Sequence, residues 1–118
     1  MEDAPATVFI VDDDDDLRHS LSWMLENTGQ PVEGFASAEA FLDSYDGTRP
    51  GCLILDIRMG GMSGLDLQEE LISRGHELPI LFITGHGDVP MAVRAVRRGA
   101  LDFIEKPFSD QHLLDLSL

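Results

Sequence analysis

Five short apolar runs recur at intervals of about twenty residues, each followed by a stretch of helical period, and this alternation constrains the chain more than any other feature. The runs are Thr7–Val11, Val32–Phe35, Cys52–Leu55, Ile80–Ile83 and Leu101–Ile104. Thr7–Val11 is nearly continuous in β-branched and aromatic residues, the mark of a strand buried on both faces, as parallel sheets require. Between the runs, Leu17, Leu21, Met24, Leu25 and Thr28 repeat at helical spacing and end at Gly29; Ala40, Phe41 and Leu42 follow Ser37, an expected N-cap. Leu65, Leu67, Leu71 and Ile72 follow a glycine-rich loop, and a fourth helix is expected from about Val89 to Arg98, ended by Gly99. Ser109 or Asp110 would cap a last helix carrying Leu113, Leu114 and Leu116. Strands alternating with helices predict an α/β protein: a parallel sheet wrapped by helices.

The 118 residues make one domain, and 43% hydrophobic content is enough to fill a core. Eight basic against 22 acidic residues give a net charge of −14, which argues against direct contact with nucleic acid or an anionic membrane, since both attract basic surfaces. The single cysteine, Cys52, lies in an apolar strand and is expected to be a buried thiol, as in a reducing compartment. No run approaches the roughly 18 apolar residues of a membrane helix, and Met1-Glu2-Asp3 lacks the basic start of a signal peptide. These features predict a cytoplasmic protein.

In a doubly wound sheet, ligands sit outside the carboxyl ends of the strands, near the point where strand order reverses. The polar residues just past strands one, three, four and five are Asp12 and Asp13, Asp56, Thr84, and Lys106. Carboxylates a few ångström apart repel by about 4 kcal/mol per pair at an effective dielectric near 20, so the cluster calls for cations. Lys106 supplies one charge, and a divalent ion with oxygen ligands, Mg2+ rather than zinc, supplies two. A carboxylate beside Mg2+, a hydroxyl and a lysine is equipment for phosphoryl transfer to the carboxylate itself. Asp56, at the end of the third strand and before Arg58-Met59-Gly60-Gly61-Met62-Ser63-Gly64, is the expected nucleophile; Asp12 and Asp13 would hold the ion.

Four segments in order, Val11-Asp12-Asp13-Asp14, Leu53-Ile54-Leu55-Asp56-Ile57-Arg58-Met59, Ile83-Thr84-Gly85-His86-Gly87-Asp88 and Asp102-Phe103-Ile104-Glu105-Lys106-Pro107-Phe108, resemble the receiver domain of two-component response regulators, with FixJ-type members closest in pattern. The resemblance covers essentially the whole chain. It implies a (βα)5 doubly wound fold with strand order 2-1-3-4-5, and Asp56 as acceptor of a phosphoryl group from a sensor histidine kinase. It further implies Asp13 as a direct Mg2+ ligand, Asp12 as one acting largely through water, and the backbone carbonyl of Arg58 as another. Thr84 and Lys106 would bond the phosphoryl oxygens, Phe103 would reorient with Thr84, Lys106-Pro107 would be a cis peptide, and water attack would return the carboxylate. The output implied is a helix-turn-helix transcription module beyond Leu118, which would bring DNA to the protein without contact by this domain. Gly60 departs from the family pattern, where proline is common, and predicts a more flexible loop with weaker metal binding.

Arg94, Arg97 and Arg98 crowd the fourth helix, while Asp102 and Glu105 follow closely, and this segregation predicts a homodimer on phosphorylation through helix four and strand five. Asp15 and Asp16 are expected to act as caps and dipole partners of the first helix, and Trp23 to be partly exposed. His19, His76, His86 and His112 show no metal-ligand spacing. Three rival classes fit the sequence less well. A haloacid-dehalogenase-like phosphatase wants two aspartates two apart at the end of strand one, and a dinucleotide-binding domain wants Gly-x-Gly-x-x-Gly there. An interaction module that no longer takes phosphate has no need of Asp13, Asp56, Thr84 and Lys106 together.

Overall fold

A computed structural model describes residues 6–85 and 88–106. The expected last helix, His86, His112 and the Lys106-Pro107 peptide lie wholly or partly outside the described residues. Among the described residues, nine elements alternate in the expected way: β1 (Thr7–Val11), α1 (Asp15–Glu26), β2 (Val32–Phe35), α2 (Ala38–Ser44), β3 (Gly51–Asp56), α3 (Gly64–Ser73), β4 (Ile80–Thr84), α4 (Val89–Arg97) and β5 (Asp102–Glu105). The five strands form one sheet in the order β2-β1-β3-β4-β5, and every neighbouring pair is parallel.

Because successive side chains of a strand point to opposite faces, the apolar strands feed two cores. Phe9 and Val11 of β1 join Leu53, Leu55 and Phe82 on one face, where Phe41 of α2, Leu67 and Leu71 of α3 and Ala92 and Ala95 of α4 close over them. Val8 and Ile10 join Ile54, Leu81, Ile83 and Ile104 on the other, under Leu21 and Leu25 of α1. Helices on both faces make the sheet doubly wound.

The helix ends follow local chemistry. Asp14, rather than Asp15 or Asp16, caps α1, its side chain accepting from the Leu17 N–H at 3.1 Å; Asp15 and Asp16 occupy the first turn, beside the positive end of the helix dipole. Ser37 caps α2, and Ser63 with Asp66 forms a reciprocal capping box on α3. Gly29 and Gly99 end α1 and α4 with φ of 85° and 115°, the left-handed region that a side chain disfavours. Expected and observed strand boundaries differ by one residue in β3, β4 and β5, with β5 moving from Leu101–Ile104 to Asp102–Glu105. Cys52 is half-buried in β3, burial pushes its thiol pKa up, and Trp23 is exposed.

Candidate functional site

The register aligns the strand ends. Val11 pairs with Leu55, Asp56 with Ile83 and Thr84 with Glu105, so the residues that end or follow β1, β3, β4 and β5 arrive on one rim. Asp12, Asp13 and Asp56 each bring a carboxylate oxygen within 4.8 Å of the others. Lys106 Nζ stands 3.9 Å from Asp56 Oδ2, and the Lys106 N–H donates to the Thr84 carbonyl at 2.8 Å. Asp56 Oδ1 accepts the N–H of Arg58 at 3.3 Å, leaving Oδ2 turned toward the ammonium.

Two of the three carboxylates are withdrawn from solvent. Asp12 is fully buried; its Oδ1 accepts the Asp14 N–H at 2.9 Å, and among the described residues its Oδ2 has no hydrogen-bond partner. Asp56 is buried as well, whereas Asp13 is exposed. Burial, reinforced by the neighbouring Asp12 charge and opposed by Lys106, pushes the Asp56 carboxyl up to about 6. Burial likewise raises Asp12. A buried carboxylate oxygen without a donor, facing two further carboxylates, is unfavourable alone and suits a hard divalent cation with oxygen ligands. The donor set therefore fits a metal ion.

The loop after β3 lies against this cluster. A Cβ on Gly64 would run into the Asp56 carbonyl oxygen, so only glycine lets α3 start so close to the strand. Gly61 takes φ of 73°. The Gly60 N–H donates to Asp13 Oδ2 at 3.3 Å, a bond that proline at this position has no hydrogen to make. Gly60 thus ties the loop to the acidic cluster. Met59 and Met62 pack against the core as loop residues.

Thr84 is fully buried, and its hydroxyl donates to the Gly85 carbonyl at 3.1 Å rather than to the acidic cluster. Phe103 is half-buried against the core. The Arg58 side chain, exposed for 70%, reaches across the mouth to Asp88, with Nε 2.6 Å from Oδ1, and its Nη2 lies 3.9 Å from Met91 Sδ. Sequence reading missed this pair because thirty residues separate its members and, although both lie in the matched segments, no spacing joins one to the other. It also missed Gln68, a buried polar side chain of α3 that donates to the Ala95 carbonyl of α4 at 2.9 Å.

On α4, Arg98 forms two 2.8 Å bonds to Glu69 of α3, so its charge is engaged within the chain. Among the described residues, Arg94 and Arg97 are the arginines without an ion pair, and both are exposed. Val93 and Leu101 are exposed nearby, and Asp102 Oδ1 accepts the Phe103 N–H at 2.8 Å.

Fold and rim together define a flavodoxin-like α/β domain with an acidic cluster that could hold a cation at the carboxyl ends of its strands. The family model described as the response regulator receiver domain matches residues 8–117, and the chain belongs to that family, a receiver domain of two-component response regulators. The response regulator protein TodT of Pseudomonas putida is 47% identical over 114 residues, 97% of this chain and 50% of that protein. The transcriptional regulatory protein FixJ of Bradyrhizobium diazoefficiens is 44% identical over 106 residues, 90% of this chain and 52% of that one. The crystal structure of FixJ-N matches with a TM-score of 0.88 at 47% identity, over 98% of this chain and 91% of the other. The chain spans about half the length of the curated relatives it matches, and those relatives are named as regulators rather than enzymes. Among the described residues, no helix is long and apolar enough to cross a membrane.

Proposed function

We propose that this domain is a phosphorylation switch in which Asp56 takes a phosphoryl group from the phosphohistidine of a sensor histidine kinase. The observation that carries the reading is the convergence of Asp12, Asp13 and Asp56 within 4.8 Å, with Lys106 Nζ 3.9 Å from Asp56 Oδ2, at one rim of the sheet. An Asp56 oxygen attacks phosphorus in line, the phosphorus–nitrogen bond breaks, and the histidine ring keeps the electron pair. Attack by water on the same phosphorus, with loss of inorganic phosphate, restores the carboxylate.

Asp12, Asp13, Asp56 and the Arg58 carbonyl would hold Mg2+, Asp12 largely through water. Bound there, the ion supplies charge neutralisation for the transferring oxygens. The ammonium of Lys106 does the same from the chain itself, and the buried, partnerless Asp12 oxygen supports the metal reading. The cluster fits a cation because each remaining negative charge resists ionisation of its neighbours until one is present.

The switch would run through Thr84, whose hydroxyl exchanges the Gly85 carbonyl for a phosphoryl oxygen, and Phe103, which repacks as Thr84 moves. The phosphorylated domain would pair with a second copy through α4 and β5. There, among the described residues, Arg94 and Arg97 make no ion pair, Asp102 supplies opposite charge, and Arg98 is already engaged by Glu69. By analogy with the transcriptional regulators it resembles, the output would be a helix-turn-helix module that contacts DNA, in the cytoplasm.

The test is intact-mass measurement after incubation with acetyl phosphate and Mg2+. A gain of one phosphoryl unit that disappears in Asp56→Ala is expected; phosphate on another residue refutes the assignment. Sedimentation with and without beryllofluoride tests the dimer, and a chain monomeric in both at high concentration rules it out.

A further inference from the structure

We propose that Asp88 is a positioning residue that holds the Arg58 guanidinium in the resting state, and that phosphorylation exchanges both partners: Arg58 turns to the phosphoryl group and Asp88 to the first turn of α4. The inference rests on the assignment of Asp56 as phosphoacceptor.

Asp88 occupies the N-cap position of α4, yet its side chain makes no capping bond. Its carboxylate, 10% exposed, is given to Arg58 at 2.6 Å instead. Pro90 in the first turn has no N–H, so among the usual cap targets the Met91 N–H is the one Asp88 can serve. The present arrangement is electrostatically mixed. The ion pair is favourable, but it places a guanidinium against the positive end of the helix dipole, and Arg58 Nη2 lies 3.9 Å from Met91 Sδ. It also spends the one carboxylate at that helix start on a group outside the helix.

Arg58 is rooted beside the reaction centre, because its own N–H already donates to Asp56 Oδ1. A phosphoryl group raises the local charge from −1 to about −2 and presents several acceptor oxygens, a stronger partner for a guanidinium than one carboxylate. Once Arg58 leaves, the Asp88 carboxylate is released to cap the Met91 N–H, and a negative side chain at the helix start is favourable. Phosphorylation would thereby change the anchoring of α4, the helix whose Arg94 and Arg97 face outward.

The experiment is titration of the 118-residue chain with beryllofluoride at fixed Mg2+, using Asp88→Asn, Arg58→Ala and the double variant. The asparagine side chain keeps a capping oxygen but has no charge for Arg58, so D88N should lower the half-saturating concentration about threefold, the size of a partly exposed ion pair. In the Arg58→Ala background the same substitution should change nothing, since there is no pair to release. Exchange of the Met91 amide hydrogen should slow on saturation in the wild type and stay fast in Asp88→Ala. No saturation in the wild type overturns the phosphoacceptor assignment and this inference with it. Saturation in the wild type with D88N unshifted, or with the threefold gain persisting without Arg58, overturns the exchange alone.

Discussion

Replacing Asp56 by asparagine should make the metal-free protein more stable, although it removes the proposed phosphoacceptor. In the fold the Asp56 carboxyl sits at about 6 instead of 3.8, chiefly through burial and then through Asp12. A carboxyl so displaced favours unfolding by about 3 kcal/mol at pH 7.5, because the folded state resists an ionisation that the open chain permits. The sign follows from proton counts: between the two values the folded state binds more protons than the unfolded one, so stability rises as pH falls. The burden at Asp56 should shrink to roughly half at pH 5 and vanish below the unfolded value. Asparagine keeps an acceptor for the Arg58 N–H and sets an amide donor in the cluster that holds the partnerless Asp12 oxygen. Urea unfolding in EDTA should therefore show D56N more stable by up to about 3 kcal/mol at pH 7.5, a midpoint shift of about 1.5 M. The difference should roughly halve at pH 5. A variant no more stable than the wild type at pH 7.5, or a difference that does not fall on acidification, would refute the electrostatic account.

Millimolar Mg2+ should raise the thermal midpoint of the wild type, by about 10 °C where the ion is a hundredfold above its dissociation constant, and should do little for Asp13→Asn or Asp56→Asn; differential scanning fluorimetry reads both. Ser63→Ala breaks the capping box on α3 and should cost about 1 kcal/mol in urea unfolding, with no dependence on divalent ions. Gly64→Ala forces a methyl group against the Asp56 carbonyl and should cost about 2 kcal/mol or more while also weakening Mg2+ binding, since the displaced backbone carries the acidic rim. Glu69→Ala, by contrast, removes an ion pair whose members are both about half exposed, so stability should change by less than about 1 kcal/mol.

The readable parts of this fold are those where a single force decides. β1, β3 and β4 lie inside a parallel sheet with helices on both faces, so almost every position must be apolar, and they stand out as unbroken runs. β2 and β5 lie at the sheet edges, where burial is partial. Glu33 of β2 faces outward to pair with Arg49, and Asp102 and Glu105 begin and end β5, so the apolar signal is short and the β5 boundary slips by one residue. Helix starts were legible where one candidate cap stood alone, as at Ser37. In the run Asp12 to Asp16 five chemically identical residues compete, and only backbone geometry selects Asp14.

The same distinction explains what the rim reveals. Asp12, Asp13, Asp56 and Lys106 are placed by the ends of strands, and strand ends follow from hydrophobic pattern, so sheet topology turns a linear spacing into a pocket. The Arg58–Asp88 and Arg98–Glu69 pairs depend instead on where long side chains settle after loops and helices have packed. With 22 acidic residues in the chain, every arginine has many possible partners, and sequence proximity pointed Arg98 toward Asp102 and Glu105 when the nearest acid across the helix interface is Glu69. Charge segregation along a sequence therefore locates a functional surface only after the pairs satisfied within the fold are removed from it. On α4 that subtraction leaves Arg94 and Arg97, which makes them the two positions where charge reversal should abolish a phosphorylation-dependent dimer while Arg98 reversal mainly disturbs α3. Sedimentation of Arg94→Glu/Arg97→Glu beside Arg98→Glu, each with beryllofluoride, separates the two: dimer loss confined to Arg98→Glu would show that the intramolecular pair, not the unspent charges, governs the interface.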